Sequence, residues 1–231
     1  MSTILSNRVQ KVKPSATMAV SDKAKELKSQ GIQIVSMGSG EPDFDTPTNI
    51  QKAAIKAIGN GETRYTAADG TPELKKAICE KFKRENGLDY SLNEVMVSCG
   101  GKQVFYNLCQ AILNTGDEVI IPTPYWVSYP DMAILADATP VFIETGIDQD
   151  FKISPEQLEA SITAKTKLLV LNSPSNPTGS VYSKSEIEAL GSVLERYPHV
   201  LTISDDIYEH IRWGDDDFVN IAMACPNLKD R

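Results

Sequence analysis

Leu168-Leu169-Val170-Leu171-Asn172-Ser173-Pro174-Ser175-Asn176-Pro177-Thr178-Gly179 sets an unbroken apolar run against eight polar or turn-forming residues. A strand covered on both faces reads this way, because neither of its sides meets water. Val119-Ile120-Ile121, running into Pro122-Thr123-Pro124, repeats the pattern. Working outward, β-rich runs lie at 94–98, 118–121, 140–144, 168–171 and 200–204. Helical spacing between them predicts helices over 103–113, 127–136, 155–162 and 184–197. Such alternation implies an α/β fold, a mainly parallel sheet flanked by helices. Ligands of such sheets sit beyond the carboxyl ends of the strands, so those ends are where chemistry is sought.

Two more helices precede this pattern. Pro47 opens one over 48–58, closed by Gly59 and Gly61, and Thr71-Pro72-Glu73 opens another carrying Leu74, Ile78 and Phe82 on one face. The chain has 231 residues, 41% apolar and 23% charged, which fits a soluble globular protein and excludes a disordered one. With 23 basic and 31 acidic residues the net charge is −8, which argues against nucleic acid as the main partner while leaving room for a locally positive pocket. Cys79, Cys99, Cys109 and Cys225 form no CxxC pair, and with only His199 and His210 beside them a metal site is not expected. No signal peptide and no membrane-spanning run is read, so the expected location is cytoplasmic.

Each strand end carries a motif with two readings. Ser98-Cys99-Gly100-Gly101-Lys102-Gln103 enters a helix through two glycines, either as a cradle whose N–H groups meet a phosphate or as a plain tight turn. Pro122-Thr123-Pro124-Tyr125-Trp126 brings aromatic rings to the same crevice, where Trp126 either stacks on a flat ring or simply packs. In the quoted stretch, Asn176 either donates its amide to a ligand or bonds its own backbone. At Ser204-Asp205-Asp206-Ile207-Tyr208, Asp205 either pairs with a buried cation or caps a following helix, and Tyr208 reaches the same ligand in the first case. Asp215-Asp216-Asp217 reads as a solvated acidic turn.

In order along the chain, G-E-P-D-F (40–44), R-Y-T (64–66), S-C-G-G-K-Q, P-Y-W, N-S-P-S-N-P-T-G and D-D-I-Y resemble the class I aminotransferases, pyridoxal-phosphate enzymes of the aspartate aminotransferase fold. The opening K-P-S-A-T-M-A-V (13–20) looks most like the bacterial aspartate aminotransferase subgroup. The resemblance implies an N-terminal arm and part of a small domain over 1–45, and an incomplete cofactor-binding large domain over 46–231. It implies that Gly101 and Lys102 give backbone N–H groups to the cofactor phosphate, with Tyr65 supplied to that phosphate from the other subunit of a homodimer. It implies further that Trp126 stacks on the pyridine ring, that Asp205 pairs with the ring nitrogen, and that Tyr208 and Asn176 bond the phenolic oxygen. Asn176 and the backbone of Gly40 would meet the substrate α-carboxylate, and Lys13 a second carboxylate, a feature of the subgroup associated with dicarboxylates and prephenate.

The family's Schiff-base lysine, and the arginine that clamps the α-carboxylate, belong to segments beyond Arg231. Lys229 lacks the context for that role, and the resemblance places Lys102 in the phosphate loop instead. The expectation is therefore an N-terminal fragment, with no catalytic residue of its own and with residues 94–98 short of a neighbouring strand, neither stable nor active alone. The full activity implied is amino transfer between aspartate or glutamate and a 2-oxo acid. Prephenate or aromatic transamination and β-lyase chemistry are the alternatives within the family. A non-catalytic cofactor-binding or scaffold protein is the alternative outside it, although regulators of that kind carry a basic DNA-binding region that is not seen here.

Overall fold

The computed structural model describes residues 4–14, 16–38, 40–214 and 217–231. Two compact units are present, Pro14–Thr71 and a larger one of Pro72–Arg231 with the residues up to Lys13. The expected domain break after residue 45 falls inside the first of these. That unit holds α2 (Ala16–Ser29) and α3 (Thr48–Gly59), while α1 (Asn7–Lys11) belongs to the larger.

The larger unit runs α4 (Pro72–Lys81), α5 (Gly101–Ile112), β1 (Glu118–Pro122), α6 (Ser128–Leu135), β2 (Thr139–Ile143), α7 (Pro155–Ser161), β3 (Thr166–Asn172), α8 (Lys184–Arg196), β4 (Leu201–Asp205) and α9 (Ile221–Ala224). Its four strands are all parallel, in the order β2-β1-β3-β4. Four of the five expected strands and the helices between them agree with those observed to within a residue or two. Pro140 sits in β2, an edge strand, where a missing N–H costs no ladder bond on the open side. Ser154 and Ser183 each form a capping box, with Gln157 and Glu186, fixing the starts of α7 and α8.

The apolar runs behave as strands with two buried faces. Alternate side chains point to opposite sides. Val119, Ile121, Leu168 and Val170 enter a core shared with Phe105 and Cys109 of α5 and Met132 and Ala133 of α6. Ile120, Leu169 and Leu171 enter a second core with Leu158 of α7 and Ile187, Leu190 and Leu194 of α8. Helices thus cover both faces of the sheet. Its central strands β1 and β3 are paired on both sides, and their carboxyl ends lead into the loops 122–126 and 172–179.

One expected strand is not formed. Residues 94–98 follow a 3₁₀ turn at Leu92–Glu94 and pair with no strand, so their β-rich character is not used. A strand needs a ladder partner, and among the described residues the outer edge of β4 makes one backbone bond, from Thr202 N–H to Arg231 O at 2.8 Å. Beyond α4 the expected helix widens into a π-helical turn, Phe82–Asn86, ended by Gly87 at φ 66°. The acidic run 215–217 lies largely outside the described residues.

Candidate functional site at the carboxyl ends of the strands

Strand register puts Asn172, the last residue of β3, directly beside Asp205, the last of β4. The Asn172 side chain exploits this. Its Nδ2 donates to Asp205 O at 2.9 Å, and its Oδ1 accepts from Asn176 N–H at 2.7 Å. The self-bonding asparagine of the loop is therefore Asn172. Among the described residues the amide of Asn176 itself makes no hydrogen bond, and it stays available to a ligand. The loop around it is held by Tyr182, whose N–H donates to Ser173 Oγ at 3.1 Å and whose OH accepts from Ile153 N–H at 2.8 Å.

Asp205 has both carboxylate oxygens engaged. Oδ1 accepts from Ile207 N–H at 3.2 Å and Oδ2 from the Tyr129 hydroxyl at 2.5 Å. No helix follows it directly; residues 207–210 form a turn that carries Tyr208, half-buried. Sequence reasoning missed Tyr129. It is 2% exposed, and burial first, then the Asp205 carboxylate, push its phenol far above the ordinary value. A signal existed, since Tyr129 lies three residues after Trp126, and the turn that opens α6 brings the two together through a bond from Tyr129 N–H to Trp126 O at 3.1 Å. Their rings meet edge-on at 5.3 Å. Tyr125, by contrast, turns away to stack on Phe142 at 5.1 Å.

Trp126 links this group to the glycine turn. The Lys102 ammonium lies 4.8 Å from the indole ring and donates to Ser128 Oγ at 3.2 Å. Gly100 has φ 83° and ψ 165°, backbone that only glycine adopts without strain, and no atom lies within 4 Å of where a Cβ on Gly100 or Gly101 would sit. The ladder of α5 opens with Gln103 and Val104 both bonding Gly100 O, which leaves the N–H groups of Gly101 and Lys102 ahead of it. Lys102, Trp126, Tyr129, Asp205, Asn172 and Asn176 thus make one continuous line of contacts across three strand ends. Behind it, under Tyr125, Tyr129, Asn172 and Asn176, lies a cavity of only about 30 Å³, room for one water.

The other expected site residues are divided between the two units. Lys13 is exposed and lies near Asp131, whose carboxyl is raised by burial and held back by that lysine's charge. Gly40 and Tyr65 are exposed in the Pro14–Thr71 unit. Lys229 reaches Asp89 O at 2.6 Å and covers the Tyr90 ring at 4.6 Å. No helix among the described residues is long and apolar enough to cross a membrane.

Comparison with known proteins agrees with this geometry. The model of the family described as aminotransferase class I and II matches residues 32–231. The aspartate/prephenate aminotransferase of Nitrosomonas europaea is 59% identical over 227 residues, 98% of this chain and 57% of that protein. A probable aspartate/prephenate aminotransferase of Rickettsia felis is 57% identical over 99% of this chain and 56% of its own length. Among solved structures, the aspartate aminotransferase of Rhizobium meliloti superposes with a TM-score of 0.95 at 47% identity, covering 98% of this chain and 57% of that one. The Thermus thermophilus enzyme with maleate gives 0.92 at 46% identity, over 98% and 59%. The chain therefore spans less than two thirds of the length of these relatives, and it belongs to the class I and II aminotransferase family.

Proposed function

We propose that the full-length protein transfers an amino group between aspartate or glutamate and a 2-oxo acid, with pyridoxal phosphate held in the crevice described above. The line of contacts from Lys102 to Asn176 carries this reading. The donor set fits the cofactor part by part. Gly101 and Lys102 offer N–H groups at a helix N-terminus, which suits a phosphate. Asp205 offers a carboxylate for a protonated ring nitrogen, and Tyr129 and Ile207 keep it aimed. Trp126 offers an aromatic face, and Asn176 and Tyr208 offer donors for the phenolic oxygen.

Bound there, the cofactor would supply the electron sink that lets an amino acid lose its α-proton. The protein's own part is orientation. Asn176 also holds the substrate α-carboxylate, together with the backbone of Gly40, and Lys13 receives a second carboxylate. Tyr65 reaches the phosphate across a homodimer, and the protein works in the cytoplasm. No residue of this chain is assigned the proton transfer, because Lys102 and Lys229 are engaged with Trp126 and Tyr90.

The relatives' names and the maleate bound to the Thermus thermophilus enzyme support a dicarboxylate substrate, with prephenate as an alternative amino acceptor. Rates of the full-length protein with aspartate and 2-oxoglutarate, set against tyrosine and prephenate, test this. Turnover confined to tyrosine refutes the dicarboxylate assignment. Borohydride reduction in the presence of pyridoxal phosphate, followed by peptide mapping, tests the lysine assignment, and a label on Lys102 or Lys229 overturns it. A full-length protein that retains the cofactor without transaminating any of these substrates supports the non-catalytic reading instead.

A further inference from the structure

The turn that carries Tyr208 has almost no apolar anchoring of its own, since Ile207 and Ile211 are both exposed. Polar contacts on two sides hold it. On one side Asp206 accepts from Ser204 Oγ at 2.6 Å and from Asn220 Nδ2 at 2.7 Å. On the other, Glu209 reaches back to the α4 region, more than 120 residues earlier in the chain. Its Oε1 accepts from Lys81 Nζ, and its Oε2 accepts from Asn86 Nδ2 at 3.2 Å.

Asn86 is buried, and its Oδ1 accepts from Lys81 Nζ at 2.9 Å, so the three side chains close a ring of bonds. The π-helical turn Phe82–Asn86 makes this possible. Its wide register places Asn86 beside Lys81, five residues earlier, and π-turns of this kind recur at functional sites. The side chains of Glu209 and Lys81 are only 14% and 27% exposed, well below the surface pairs that contribute little. His210 and Glu85 flank the ring, with His210 Nε2 3.4 Å from a carboxylate oxygen of each glutamate.

We infer that Glu209, clamped by Lys81 and Asn86, is a positioning residue that fixes the Asp205–Tyr208 turn in the geometry that receives the pyridine ring. The inference rests on the proposed function and deepens it. Glu209 touches neither cofactor nor substrate; it acts through Tyr208, its neighbour in the chain, whose carbonyl also caps the turn by accepting from Ile211 N–H at 2.8 Å. A loosened turn lets the Tyr208 hydroxyl and the Asp205 carboxylate drift relative to each other, and the ring loses simultaneous contact with both.

The test uses the full-length apoprotein and Glu209→Gln, Lys81→Met and the double variant, with Lys83→Met, an exposed residue paired to Asp89, as control. Pyridoxal phosphate is titrated against tryptophan fluorescence, and the absorption spectrum of the bound cofactor is recorded, both well below the melting temperatures. Glu209→Gln and Lys81→Met are each expected to weaken cofactor binding about tenfold, non-additively in the double variant, and to shift the spectrum. The control leaves both unchanged. Lowered melting temperatures with unchanged affinity and spectrum overturn the inference and leave the clamp a purely structural one. If Asp205→Asn weakens binding and Glu209→Gln does not, this inference alone fails. If the wild type binds no pyridoxal phosphate, the proposed function fails and takes this inference with it.

Discussion

Replacing Tyr129 with phenylalanine removes one oxygen from a fully packed site. The ring stays against Phe105 and Trp126, at 5.0 and 5.3 Å, so no cavity larger than a hydroxyl opens. What is lost is the bond to Asp205 Oδ2 at 2.5 Å, and that oxygen has no other partner among the described residues. A hydrogen bond to an ionised acceptor is worth about 1.5–3 kcal/mol, and the low exposure of Tyr129 leaves little water to compensate. The variant should lose about 2 kcal/mol in urea unfolding of the full-length apoprotein at neutral pH. The penalty should also depend on pH, in a direction that follows from the tyrosine. Its folded pKa lies above the unfolded value near 10, so its contribution is complete below about pH 10 and is lost as the pH rises beyond that. The gap between wild type and variant therefore narrows once the unfolded chain can release the phenolic proton. A double-mutant cycle with Asp205→Asn isolates the pair and should return most of the 2 kcal/mol as coupling. A coupling under about 0.5 kcal/mol would refute the claim that Tyr129 holds Asp205, and a gap that stays constant from about pH 8 to 10.5 would refute the raised phenol.

Three further outcomes are expected. Asp206 is half-buried, and its partial desolvation together with the nearby Glu209 and Asp205 raises its carboxyl from 3.8 to about 6, so the stability this group brings is complete below pH 4 and is lost as the pH rises through 6. Asp206→Asn should abolish that loss, gaining up to about 3 kcal/mol at pH 7.5 relative to pH 4, and melting curves that keep the wild-type slope across that range would count against it. Gly100→Ala meets no atom but forces alanine to φ 83°, so the full-length protein should lose about 1–2 kcal/mol and bind pyridoxal phosphate more weakly, whereas an unchanged affinity removes Gly100 from the cradle. Residues 1–231 expressed alone should self-associate in sedimentation velocity, because the outer edge of β4 is nearly unpaired and Ile207, Ile211 and Trp213 stand exposed beyond it; a cooperatively unfolding monomer contradicts this.

The sheet was legible because burial leaves a one-dimensional trace. Val119–Ile121 and Leu168–Leu171 alternate between two cores, and a residue that is buried on either face must be apolar, so the run itself announces the strand. The start of α4 was legible for a similar reason, since Pro72 acts on backbone groups close to itself, as Ser154 and Ser183 do at α7 and α8 in the structure. Residues 94–98 show where such reasoning stops. Their composition favours a strand, but a strand exists only when another offers its N–H and C=O groups, and composition says nothing about that neighbour.

The crevice divides along the same line. Gly100, Trp126, Asn176 and Asp205 announce themselves through local oddity at strand ends, but what orients them comes from far away in the chain. Tyr129 meets Asp205 across 76 positions, Asn172 across 33, and Lys81 meets Glu209 across 128. A polar side chain that makes one such bond has no period and no motif, and Lys81 and Glu209 read individually as ordinary surface charges. Yet the turn after β4 has little apolar anchoring of its own. In the proposed function a carboxylate and a phenol meet one planar ring, and the long-range bonds hold their separation more tightly than an exposed turn does by itself. In this fold the residues proposed to meet the cofactor are readable from sequence, and the residues that hold them become visible only once the strands are in register.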